Sequence, residues 1–143
     1  MTTILDEFWV FSKDYTPYVY FYKENKEKDI FKYKPINPEL EILQKVNSIM
    51  ESIEQESKKK KIEYVESGNF RYGVIQCLNN YLLIIYKFPL GVKNKNIINI
   101  SRIFCGMIES LYTLRDFRNW EEDINIFDKL YKKIELYFKM SNL

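Results

Sequence analysis

Residues 81–88, Tyr-Leu-Leu-Ile-Ile-Tyr-Lys-Phe, are apolar at almost every position rather than at every second one. As a strand, such a run must be covered on both faces, because a strand with one solvated face alternates. It therefore predicts a central strand with layers above and below it. Each Leu or Ile fully buried there contributes about 1.5–3 kcal/mol relative to exposure. Glu7-Phe8-Trp9-Val10-Phe11-Ser12 is a second continuous run and a second candidate for the middle of the sheet.

The elements around these two runs follow from local signals. Asp14 to Pro17 supply turn residues, and Tyr18-Val19-Tyr20-Phe21-Tyr22 completes a hairpin with the first run. Lys23 to Lys34 is charged, with an apolar interruption at Ile30-Phe31, and reads as a loop with one anchoring contact. Asn37-Pro38 opens a first helix, Asn as N-cap and Pro at the first helical position. Ile42, Leu43, Val46, Ile49, Met50 and Ile53 give it one apolar stripe, and it ends near Ser57.

Ile62 to Glu66 is more polar, as an edge strand would be, and Ser67-Gly68-Asn69 turns the chain into a strand over Phe70 to Leu78. Asn79-Asn80 turns it again into the Tyr81 run, which completes a three-stranded meander. A second helix is expected from about Lys95 to Leu114, with Ile97, Ile100, Phe104, Met107 and Ile108 on a broad apolar face. Asp116 to Asn119 reads as a polar break, and a last helix as running from about Asp123 to Lys139. The expected fold is α+β, in the order β-β-α-β-β-β-α-α. Its five-stranded antiparallel sheet has strand order 2-1-5-4-3, with helices on both faces.

The chain of 143 residues fits a single domain over residues 1–143. An apolar fraction of 46% with only four Gly and four Pro argues against disorder. Its 22 basic and 20 acidic residues nearly cancel, and most of the basic ones are Lys, so nothing draws the chain toward nucleic acid. The start, Met1 to Glu7, is short and polar rather than a charged and then apolar leader. The longest apolar run is far below the ~20 residues of a spanning helix, so a soluble cytoplasmic protein is expected. Cys77 and Cys105 lie in apolar surroundings and read as buried thiols, in preference to a disulfide or a redox site, which fits a reducing compartment.

Catalysis finds little support. The chain has no His, which removes His-based triads, most general bases near neutral pH and the commonest transition-metal ligand. The four Gly, at 68, 73, 91 and 106, assemble neither a P-loop nor a dinucleotide fingerprint. Glu121-Glu122-Asp123 stands at a helix start and reads as capping rather than as acid–base or metal chemistry. No catalytic, cofactor-binding or metal residue is assigned, and no cofactor is expected.

The element order and the spacing of the two C-terminal helices resemble the longin-like fold of trafficking longin domains, small adaptor subunits and sedlin-like tethering subunits. The likeness is clearest from Ile97 through Arg102, Glu109, Ser110 and Leu111-Tyr112, and again over Asp123 to Lys129. It implies a non-catalytic adaptor or scaffold in vesicle trafficking or small-GTPase regulation. Its partner would be a small GTPase or another longin-like subunit, and it would work as a homo- or hetero-dimer or within a complex. No SNARE heptad segment follows in this sequence, and the loop 23–34 is longer than a minimal longin connection.

Two surfaces are candidates for function. Tyr18, Tyr20 and Tyr22 are expected on one face of a strand at the sheet edge, with Val19 and Phe21 on the other. Either the loop and first helix cover this edge, or it is a protein interface, where Tyr is enriched. Lys58, Lys59, Lys60 and Lys61 form a basic run that is either a solvated loop or a weak, peripheral contact to an anionic membrane. A ligand-sensing domain with a pocket between sheet and helices is the alternative function.

Overall fold

The computed structural model describes residues 5, 7–14, 16–25, 30–36, 62–79, 81–118 and 123–141. Six strands form one fully antiparallel sheet: β1 (Glu7–Ser12), β2 (Pro17–Asn25), β3 (Ile30–Lys34), β4 (Ile62–Ser67), β5 (Phe70–Cys77) and β6 (Leu82–Pro89). Their order is β3-β2-β1-β6-β5-β4. The two continuously apolar runs, β1 and β6, lie side by side at the centre, with Trp9 opposite Ile85 and Val10 opposite Ile84. The five strands expected from the sequence are present in the expected order.

The sixth strand corrects the sequence reading. Ile30–Lys34 is not a loop but the edge strand beyond β2, pairing Tyr22 with Lys32 and Tyr20 with Lys34. Charge concealed its period: Phe31 is buried and Tyr33 half-buried on the same side as Phe21, while Lys32 and Lys34 alternate with them. The Tyr-rich strand is thus an inner strand, and the edge is blunted by lysines instead.

The helices are α1 (Asn94–Leu111), α2 (Arg115–Arg118) and α3 (Asp128–Ser141), the last preceded by a 3-10 turn over Ile124–Phe127. Among the described residues, these helices pack on one face of the sheet. There Ile97, Phe104, Met107 and Ile108 of α1, Phe117 of α2, Phe127 of the turn, and Leu130 and Ile134 of α3 join Phe8, Val10, Val19, Phe21, Ile84, Tyr86 and Phe88 in one core. Phe8 stacks on Phe21 with ring centroids 4.7 Å apart and touches Phe104 at 5.4 Å, tying two strands to α1.

Helix α1 stops at Leu111, short of the expected Leu114, because Tyr112 turns to extended backbone. The Tyr112 side chain then straps the helices together: its hydroxyl donates to the Ile126 carbonyl at 2.7 Å and accepts from the Leu130 amide at 3.3 Å. The stretch expected to be a polar break holds the single turn α2, and its Phe117 is buried between Tyr18 and Phe127.

The other face carries a second apolar cluster of Trp9, Phe11, Ile36, Tyr72, Val74, Leu83 and Ile85. The first expected helix, Asn37 to Ser57, and the basic run Lys58 to Lys61 lie outside the described residues. Among the described residues, no helix is long and apolar enough to cross a membrane.

Candidate functional site

Antiparallel register builds the first constellation. On the face opposite the helices, Tyr72, Lys87, Glu7, Tyr22 and Lys32 stand in one row across five strands, each opposite the next. One step along the strands lies a parallel row of Val74, Ile85, Trp9, Tyr20 and Lys34. The face therefore grades from apolar to amphipathic over a single pleat, about 7 Å along a strand.

Charges and rings interlock where the two rows meet. Lys87 Nζ lies 3.0 Å from Glu7 Oε2, both side chains being about a quarter exposed, at 22% and 24%. The Tyr20 hydroxyl donates to the other Glu7 oxygen. Lys87 also sits over the Phe70 ring, 4.0 Å from its centroid. Trp9 and Tyr20 stack with centroids 5.1 Å apart and planes 6° from parallel, and Tyr22 tilts against Tyr20 at 5.2 Å. Lys34 caps the pair from the edge strand, 4.9 Å from the Tyr22 ring and 5.5 Å from the Tyr20 ring. Burial, and then the bond to Glu7, push the Tyr20 hydroxyl well above the usual phenol range. Such a surface offers flat rings and fixed cations to a partner, while Glu7 is already occupied by Lys87 and Tyr20.

Of the three tyrosines expected together, only Tyr20 and Tyr22 share this face. The register of β1 with β2 slips between Val10 and Phe11, where Val19 and then Pro17 are the partners. This bulge turns Tyr18 to the helix side, where it is 4% exposed and packs on Phe117 at 5.3 Å and Phe127 at 6.4 Å. An extra residue in one strand breaks the two-residue alternation, so residues on either side of it change faces. Tyr18 is a core residue, and the tyrosines lie inside the sheet rather than at its edge.

A second constellation was not legible from spacing. Cys77, at the end of β5, and Cys105, on α1, are both buried free thiols. The Cys105 thiol donates to Glu109 Oε1 at 3.1 Å, one helical turn further on. The two Sγ atoms and a Glu109 carboxylate oxygen all lie within 4.8 Å of one another. The neighbouring Cys105 thiol, and then burial, hold the Cys77 thiol strongly protonated. The i,i+4 spacing of Cys105 and Glu109 was visible as a same-face pair. Cys77 joins them only because the sheet and α1 share a core.

Among the described residues, two buried side-chain polar atoms lack a hydrogen-bond partner: Trp9 Nε1 on the face opposite the helices and Ser101 Oγ under α1. No family model, curated protein or solved structure matches the chain.

Proposed function

We propose that the chain is a non-catalytic protein-interaction module of longin-like type, acting as an adaptor or scaffold in vesicle trafficking or small-GTPase regulation. In this reading the sheet is flanked by helices on both faces. A partner, either a small GTPase or a second longin-like subunit, docks on the amphipathic row around Tyr20, Tyr22 and Lys34. The observation that supports it most is that two half-buried tyrosines, stacked on Trp9 and capped by Lys34, present rings at the sheet surface. Tyr and Trp are enriched where partners bind, and their rigid rings lose little conformational freedom on binding. Work in the cytoplasm, peripherally at membranes, belongs to the same proposal.

The test is affinity capture from native lysate with the chain as bait, run with GDP and with a non-hydrolysable GTP analogue, bound proteins being identified by mass. Lys34→Glu and Tyr22→Ala are run beside the wild type. The reading expects a small GTPase or a longin-like subunit that is lost from both variants while their melting temperatures stay close to wild type. Retention of the same partner by both folded variants removes the row as the docking surface.

A further inference from the structure

We propose that Cys77, Cys105 and Glu109 form a binding site for one thiophilic divalent cation of the zinc class. Three donors from two elements converge: the two sulfurs and a carboxylate oxygen lie within 4.8 Å of one another. Tetrahedral zinc holds sulfur at about 2.3 Å and carboxylate oxygen at about 2.0–2.2 Å, which places these donors about 3.5–3.8 Å apart. The Cys105–Glu109 edge, now a 3.1 Å hydrogen bond, opens slightly and the other edges stay within 4.8 Å, adjustments on the scale of side-chain rotation.

The scaffold is rigid where it needs to be. Cys77 pairs with Leu82 across the sheet, and the flanking residues Ile75 and Phe104 are in the same core. The site also has a way in. Cys77 is 1% exposed and Cys105 8%, while Glu109 is exposed at the surface, so an ion reaches the carboxylate first and the sulfurs behind it. Among the described residues no ion pair neutralises Glu109, whose hydrogen bond runs to the Cys105 thiol. Two sulfurs select zinc-like ions over magnesium or calcium, which prefer all-oxygen shells.

Binding replaces the two thiol protons. One divalent ion enters, two S–H bonds give two metal–thiolate bonds, and two protons leave to solvent, with the fourth position filled by water. No oxidation is involved. The site is independent of the docking row, which lies on the opposite face of the sheet.

The full-length chain, kept reduced, is dialysed against zinc and its metal content measured, then titrated with cobalt(II) as a spectroscopic probe. The expected result is one zinc per chain and a thiolate-to-cobalt charge-transfer band with the ligand-field bands of a tetrahedral site. Cys105→Ser, which leaves only the Cys77 thiolate, is expected to lose at least half of the charge-transfer intensity and to bind cobalt more weakly. Glu109→Gln, an exposed change that leaves the core intact, is expected to weaken cobalt binding by an order of magnitude or more, since even outer-shell changes cost about 10–100-fold. Circular dichroism of the metal-free variants checks that each is folded. A folded, reduced wild type that takes up no zinc and shows no cobalt band overturns the proposal. So does a cobalt affinity that is unchanged in Glu109→Gln.

Discussion

The two faces of the sheet use the same aromatic-rich composition for different ends. The face under the helices is a broad apolar core, and several of its polar atoms are tied into straps such as Tyr112 to Ile126 and Leu130. The opposite face passes from Phe11 and Leu83 through the Trp9 row to the ion pair of Glu7 and Lys87. The first face is a core in which each side chain is held by several others. The second is a core that opens into a surface, and there stacked rings and partly screened charges share the work. Stability should therefore be concentrated on the first face and tolerance to substitution on the second.

The largest expected contrast comes from Phe8→Ala. Phe8 is fully buried and in ring contact with Phe21, Phe31, Tyr86 and Phe104, so the truncation should cost about 3–5 kcal/mol in urea unfolding. A loss below 1 kcal/mol would erase the distinction between the faces. Tyr112→Phe comes next. It keeps the ring but leaves the buried Leu130 amide and the part-buried Ile126 carbonyl without their partner, and a loss of about 1–3 kcal/mol is expected in the same measurement.

Alkaline pH loads both faces, since Tyr20 on the opposite face is raised as well as the tyrosines under the helices, and single substitutions separate their shares. Burial above all raises the hydroxyls of Tyr18, Tyr86 and Tyr112, all on the helix face, above the usual phenol range. The folded state therefore keeps protons that the unfolded chain releases above pH ~10. Their contribution is complete below that pH and is lost as pH rises further, at up to about 1.4 kcal/mol per pH unit for each tyrosine. Urea midpoints measured from pH 9 upward should fall, and Tyr86→Phe should make the fall shallower. An unchanged slope in that variant would mean that Tyr86 does not contribute to it.

The smallest effect is expected from Glu7→Gln. The ion pair with Lys87 is part exposed, so its loss should cost about 1 kcal/mol or less and should shrink as salt is added to the wild type. A salt-independent loss of several kcal/mol would instead make this end of the row as core-like as the helix face.

Much of this fold is legible in residue order. The continuous apolar runs of β1 and β6 announce central strands because only two-sided burial explains apolar residues at consecutive positions. The 3.6-residue stripe of α1 likewise announces one buried face, and Ile97, Phe104, Met107 and Ile108 are all on it. Within the sheet, two local signals misled. Charge at 32 and 34 concealed the alternation of β3, since an edge strand with one exposed face resembles a polar loop in composition. The bulge beside Val10 shifted Tyr18 to the helix side, and a strict period of two cannot register a bulge that depends on strand pairing.

Sequence by itself determined the two runs that must be buried at the sheet centre, the relative order of five of the six strands and the buried stripe of α1, because burial follows local hydrophobic period. Only the tertiary structure decided which distant side chains meet. It set Glu7 between Lys87 and Tyr20, and it brought Cys77 beside Cys105 and Glu109. Those meetings depend on strand register and helix placement, which are properties of the packed whole and leave no periodic trace in any single segment.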